Sequence, residues 1–127
     1  MNKVLVTGNI VKDIKLQKTN NGKSVVSNII AVKSERKNEN GDYETEFINF
    51  VAWGNQADYL QVYGKKGDRL ELIGYWHNRR YDDASGLSRI ISELIVESIS
   101  LYSKKEDKAP TYDEAVKNAI KKDELPF

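Results

Sequence analysis

In Glu46-Phe47-Ile48-Asn49-Phe50-Val51-Ala52-Trp53 the types and spacing invite chemistry. A strand turns successive side chains to opposite faces, so Phe47, Asn49, Val51 and Trp53 share one face and Ile48, Phe50 and Ala52 the other. If the second face is core, the first presents a phenylalanine, an amide and a tryptophan outward. Large outward aromatics cost solubility unless something covers them. Flat π faces stack on nucleobases, and guanidinium and ammonium groups beside them track a phosphate backbone. A second reading keeps Phe47 and Trp53 as core on a strand buried from both sides, or sets them against a subunit partner, and the residues alone leave both open. A second group, Trp76, His77, Arg79, Arg80 and Tyr81, places arginines beside aromatics near a strand end. That suits a charged groove with a stacking platform, although a solvated hairpin base has the same composition. Lys33, Arg36 and Lys37, diluted by Glu35, Glu39 and Glu44, and the pair Lys65-Lys66 add cations at other strand ends and loops.

Catalytic chemistry finds little to work with. His77 is the one histidine and lies inside a strand pattern; cysteine is absent, so there is no thiol nucleophile and no thiolate zinc site. Asp82-Asp83 precede Ala84-Ser85-Gly86 between two strands, which makes them turn residues rather than a metal pair. Phosphate-cradling glycine loops and metalloprotease helices are missing. The expectation is a binding module, not an enzyme, without cofactor or metal. Lys and Arg number 20 against 19 Asp and Glu, a net charge of +1, so a polyanion partner must rest on local patches rather than on overall charge.

The elements that would position these residues are mostly strands. One is expected from Val4-Leu5-Val6, continuing past Gly8-Asn9 from Ile10 to Leu16. Others are expected over residues 25–32, 47–53, 70–81 and 90–101, each entered through a turn signal such as Asn21-Gly22, Asn40-Gly41, Gly67-Asp68 or Ser85-Gly86. Between the third and fourth, Tyr59, Leu60, Val62 and Tyr63 cluster at helical spacing, with Gly64 to cap the end. Three strands, a short helix and two strands is the order of the five-stranded OB barrel, with the helix between strands 3 and 4. Gly8 and Gly74 inside strand patterns mark bends or close backbone approaches, which a small barrel needs to curl. The 127 residues, 39% hydrophobic, suit one such domain over residues 1–102. No apolar run approaches the roughly 18 residues of a membrane span, and the start lacks a secretory pattern, so a cytoplasmic protein is expected.

After Tyr102 the texture changes. Residues 103–110 are charged and apolar-poor and read as a linker. Thr111 and Glu114 have capping-box spacing ahead of the stripe Tyr112, Ala115, Val116, Ala119 and Ile120, which predicts a helix marginal on its own. Residues 103–127 as a whole are expected to be a flexible tail.

Five segments, taken in order, resemble one family. Asn2-Lys3-Val4-Leu5-Val6-Thr7-Gly8-Asn9, Thr45-Glu46-Phe47 with Trp53-Gly54, Lys66-Gly67-Asp68-Arg69-Leu70 with Gly74, Arg79-Arg80-Tyr81-Asp82-Asp83 with Gly86, and the terminal Asp123-Glu124-Leu125-Pro126-Phe127 are similar to motifs of bacterial and phage single-stranded DNA-binding proteins. The resemblance implies an OB barrel that coats single-stranded DNA in replication, recombination and repair, a homotetramer, and an acidic C-terminal tip that recruits partner proteins such as a recombinase. It puts Phe47, Trp53 and Tyr81 at base-stacking positions and Asn49 where relatives often carry arginine. Lys37 stands where well-known members have a stacking tryptophan, which removes a platform and keeps a charge. The tail departs too: it is short, interleaved with lysine and lacks a Gly/Pro/Gln-rich spacer, which points to a phage-encoded version. The alternative within reach of the same residues is an OB-fold primosome or recombination accessory, or an RNA-binding module, with weak single-stranded DNA binding.

Overall fold

The alternating apolar residues do form strands, and their inward members make one core. The computed structural model describes residues 1–102 and Val116. In chain order the elements are β1 (Val4–Ile10), β2 (Gln17–Lys18), β3 (Ser24–Lys37), β4 (Tyr43–Trp53), α1 (Asn55–Tyr63), β5 (Arg69–Asp82) and β6 (Ser88–Tyr102). The ladder runs β1-β5-β6-β4-β3 and closes where β3 returns to β1 through Asn9↔Ala31 and Ile10↔Ile30. β4 and β6 pair in parallel and the other ladders are antiparallel. This is the closed five-stranded OB barrel that the sequence predicts, with α1 between its third and fourth strands; β2 is a short annex on β3. Val26, Ile30, Phe50, Ala52, Leu70, Leu72, Leu94, Ile99 and Leu101 fill the interior, each essentially inaccessible.

Two glycines allow the barrel to close. A Cβ on Gly8 would collide with the Ala31 carbonyl oxygen, and one on Gly74 with that of Ile95. Gly74 also sits at the register shift of the β5–β6 ladder, where an extra β6 residue bends the pair. The helix packs Ala57, Tyr59 and Leu60 inward against β3, β4 and β6. Val62 and Tyr63, which share its apolar cluster in sequence, stay exposed. Gly64 ends the helix as expected, its N–H donating to the Leu60 carbonyl at 2.7 Å.

One expectation needs correcting. The first strand does not run on to Leu16: it stops at Ile10, and residues 11–16 form a loop before β2. The reason lies in a residue distant in sequence. Asn28, buried on β3, accepts from the Lys12 N–H at 3.1 Å and the Ile29 N–H at 2.7 Å, and its Nδ2 donates to the carbonyls of Lys12 at 3.0 Å and Asp13 at 3.4 Å. These bonds satisfy loop backbone that a strand ladder would otherwise have to pair. Ile14 and Leu16 still reach the core, from the loop. The expected tail, its linker and its helical stripe lie outside the described residues apart from Val116, as does the tip Asp123 to Phe127.

Candidate nucleic-acid interface

Strand alternation and the ladder register decide which side chains meet. On β4, Phe50 and Ala52 point into the core, so Phe47, Asn49, Val51 and Trp53 line the outer surface. Across the ladder their partners are Ala31, Ile29, Ser27 and Val25 of β3. Phe47 is 65% exposed and Trp53 37%, whereas Val51 between them is buried. The reading of these aromatics as core is thereby set aside.

On the other side of β4, its parallel pairing with β6 (Phe50↔Leu94, Val51↔Ile95) brings the β5–β6 hairpin alongside. Tyr75, His77, Arg79 and Tyr81 fall on the same outer face as Ile95, Glu93, Ile91 and Arg89. Here the sheet forms an open trough of about 810 Å³, lined among others by Lys23, Val51, Trp53, Tyr75, His77 and Arg79. A smaller hollow of about 250 Å³ continues it past Asn49 and shares Ser27, Val51, Arg79 and Glu93 with it.

Charge in the trough is arranged rather than uniform. Glu93, only 6% exposed, forms part of its lining directly opposite His77, and its Oε1 accepts from Arg79 Nε at 2.9 Å. That contact uses one edge of a half-exposed guanidinium. A guanidinium carries five N–H donors in a fixed fork, so four remain for another acceptor. At the tip of the hairpin Asp83 accepts from the Ser85 hydroxyl at 2.6 Å, Arg89 Nε at 2.6 Å and the N–H groups of Ser85 and Leu87 at 2.9 and 3.1 Å. The Ser85 hydroxyl, then Arg89, hold its carboxyl down at about 2, below the usual carboxylate range. The turn is thus tied together by one carboxylate, which places Tyr81 and Arg79 on a fixed support.

The sequence-predicted residues divide by location. Phe47, Asn49 and Trp53 form the outer strip of β4; Arg79 lines the trough and Tyr81 continues the same face of β5. Trp76 and Arg80 alternate to the opposite face, and the backbone of Trp76 is held by Asn2, through Nδ2 to its carbonyl at 2.8 Å and from its N–H to Oδ1 at 2.9 Å. Lys33 and Lys37 lie at the far end of the β3–β4 ladder, with Arg36 exposed beside them. Lys65 and Lys66 are in the exposed turn before β5.

Three contacts escape sequence reading. Lys33 and Lys37 hold their ammonium groups 4.3 and 5.5 Å from the centre of the Tyr43 ring, and Lys23 lies 5.3 Å from that of Trp53. Tyr43 is the Cα partner of Lys37, so an aromatic ring stands across the ladder from the very position that lacks one. The available signal was an aromatic beside Asn40-Gly41-Asp42, which becomes informative only once the β3–β4 register is known.

Comparison with known proteins decides the lineage. The family described as "Single-strand binding protein family" matches residues 1–102, the whole described barrel. The chain belongs to that family. "Single-stranded DNA-binding protein 3" of Streptococcus agalactiae serotype V is 28% identical over 137 residues, covering 100% of this chain and 99% of its own. "Single-stranded DNA-binding protein 2" of the same organism is 31% identical over 130 residues, 99% of this chain and 98% of its own. The "Single-stranded DNA-binding protein" of Enterococcus faecalis is 33% identical over 101 residues, 80% of this chain and 54% of its own. As a member of the single-strand binding protein family the chain is a binder and not an enzyme. Among the described residues no helix is long and apolar enough to cross a membrane.

Proposed function

We propose that this protein coats single-stranded DNA without reading its sequence. The observation that carries the proposal is the outer strip of β4, where Phe47 and Trp53 are exposed on a closed barrel and Trp53 lines a trough with Arg79 and Lys23. Bases of a single strand stack on such rings whatever their identity, each contact worth roughly 1–3 kcal/mol. Phosphates meet Arg79, Lys23, Lys33, Arg36 and Lys37, and Asn49 supplies an amide between the rings. Tyr43 and Tyr81 extend the set of platforms at the two ends. Duplex DNA, whose bases are already stacked on each other, gains nothing from the strip. The test is competition: labelled oligo-dT is displaced by unlabelled oligo-dT and not by duplex of equal nucleotide content. Its affinity falls with salt along a log–log slope of about −0.7 per phosphate contacted. Displacement by duplex or by ribo-oligomer as readily as by oligo-dT contradicts the assignment.

The finer roles follow from the same reading. The protein acts in the cytoplasm, in replication, recombination and repair, as a homotetramer. An exposed apolar pair supports self-association: Leu5, 71% exposed, and Ile73 are Cα partners on the outside of β1 and β5. From Val4 to Gly8, β1 pairs with β5 alone, which leaves its other edge open among the described residues. Residues 123–127 recruit replication or recombination proteins. Asp123 and Glu124 repel phosphate, while Leu125 and Phe127 suit a pocket with an apolar slot and a basic rim. Light scattering of the intact protein checks the oligomer; a monomer at working concentration contradicts it.

A further inference from the structure

Between its two aromatic rings the outer strip of β4 has a polar interval. Phe47 and Trp53 are six residues apart, roughly 20 Å along an extended strand, so a single strand that stacks on both sets further bases between them. Asn49 stands in that interval. Beside it lies the hollow of about 250 Å³, which Asn49, Arg79 and Glu93 line together. Drug-sized ligands fill roughly 300–1,000 Å³, so a hollow below that range admits a single base.

The polar groups of the hollow differ in what they offer. A carboxylate only accepts hydrogen bonds. Glu93 is buried, and the bond from Arg79 Nε to its Oε1 at 2.9 Å holds it in one place. Its other oxygen, Oε2, has no partner among the described residues. No side-chain oxygen there is both sealed from solvent and unpartnered, so Oε2 keeps a face toward the space that Glu93 lines. Arg79, half exposed, has N–H donors left beside it. Asn49 is exposed and its amide is unpartnered among the described residues, so it can turn either its oxygen or its NH₂ inward. A phosphate on this acidic floor is repelled by Glu93. A base edge that carries an N–H next to a ring acceptor finds a partner for each.

We propose that Glu93 sets a base preference at this one position: its Oε2 accepts from the exocyclic amine of a base seated in the hollow, while an Arg79 N–H donates to the neighbouring ring nitrogen. Cytosine, with N4–H beside the N3 lone pair, and adenine, with N6–H beside N1, match both groups. Thymine and uracil put O4, an acceptor, where the amine was. Their one remaining donor, N3–H, is recessed between two carbonyl oxygens that the carboxylate repels. This rests on the outer strip of β4 being the single-strand site. It concerns one base per barrel: the rings to either side stack any base, so coating along the strand stays independent of sequence.

The experiment measures the affinity of oligo-dC and oligo-dU, each of about eight nucleotides and so within the span of one OB barrel, for the intact protein and its Glu93→Gln variant. The two strands have the same backbone and ring size and differ only at position 4 and in the N3 proton. Repulsion between Glu93 and phosphate is equal on both and cancels in their ratio. The parent is expected to favour oligo-dC by at least about fivefold. Glutamine has nearly the same shape and can turn oxygen or NH₂ to the base, so in the variant the ratio is expected to fall to about one. A thermal melt equal to that of the parent verifies its fold. A third strand needs no variant: oligo-dC doubly methylated at N4 has no amine hydrogen and is expected to bind the parent no better than oligo-dU. The same dC-to-dU ratio in parent and variant overturns the proposal, and so does a methylated strand bound as tightly as oligo-dC. If the parent binds none of the strands, the single-strand assignment of the strip itself fails, a result distinct from either.

Discussion

Replacing Phe47 by alanine separates binding from folding more cleanly than any other change in the strip. The ring is 65% exposed, so about a third of it is covered in the free protein. A buried phenylalanine covers on the order of 200 Å², which makes the covered part about 70 Å². At about 25 cal/mol per Å² this is worth less than ~2 kcal/mol of stability, an upper limit because unfolded chains already bury some apolar surface. The barrel interior on the same strand, Phe50 and Ala52, is untouched. Binding loses the whole stacking contact, about 1–3 kcal/mol, a rise in Kd of about 5- to 160-fold. Fluorescence anisotropy of labelled oligo-dT reads the change, at about 0.2 M salt so that phosphate contacts do not mask it. Phe47→Trp restores the π face and is expected to bind at least as well as the parent. Phe47→Leu retains apolar area without a π face and is expected to behave like alanine. A leucine variant equal to the parent, or an alanine variant within about 0.5 kcal/mol of it, refutes the stacking argument.

Three further expectations follow. Glu93→Gln removes a carboxylate from the trough; a phosphate about 8 Å away then escapes a repulsion of about 1–2 kcal/mol, so affinity at low salt rises about 5- to 30-fold, whereas weaker binding shows that orienting Arg79 matters more than its charge balance. Asp83 has its pKa lowered in the fold, so its contribution to the hairpin tip is complete above the ordinary carboxylate range near pH 4 and lost as pH falls towards about 2; amide shifts of Ser85 and Leu87 should titrate with that low midpoint, and a midpoint near 4 contradicts the bonding described. Deleting residues 123–127 leaves oligo-dT affinity equal or slightly tighter, because like charge is removed, and abolishes capture of replication or recombination proteins; loss of DNA binding with partners retained reverses the assignment.

The barrel was legible in the sequence because its strands alternate cleanly and its turns carry Asn-Gly or Gly-Asp punctuation. Phe50 and Ala52 inside with Phe47 and Trp53 outside follow from period two alone. What escaped depends on contacts between residues far apart in the chain. The end of β1 at Ile10 is set by Asn28, whose bonds to Lys12 and Asp13 cannot be inferred from the apolar pattern of residues 10–16. Arg79 and Arg80 are neighbours in sequence, yet the pleat sends them to opposite faces, and only the pairing of β5 with β6 tells which one faces Trp53. The acid in the trough, Glu93, looks in sequence like any polar strand residue. Tyr43 gains meaning from Lys33 and Lys37 on the facing strand.

The central claim is that bases stack on the outer face of β4, and the protein carries its own reporter for it. It has two tryptophans: Trp53 on that face, and Trp76 on the opposite side of β5 with its backbone tied to Asn2. Intrinsic fluorescence is titrated with oligo-dT in the parent protein and in the Trp53→Phe and Trp76→Phe variants. Strong quenching in the parent, retained in Trp76→Phe and lost in Trp53→Phe, is the result the account predicts. Absence of quenching in the parent, or quenching that survives in Trp53→Phe and vanishes in Trp76→Phe, contradicts it.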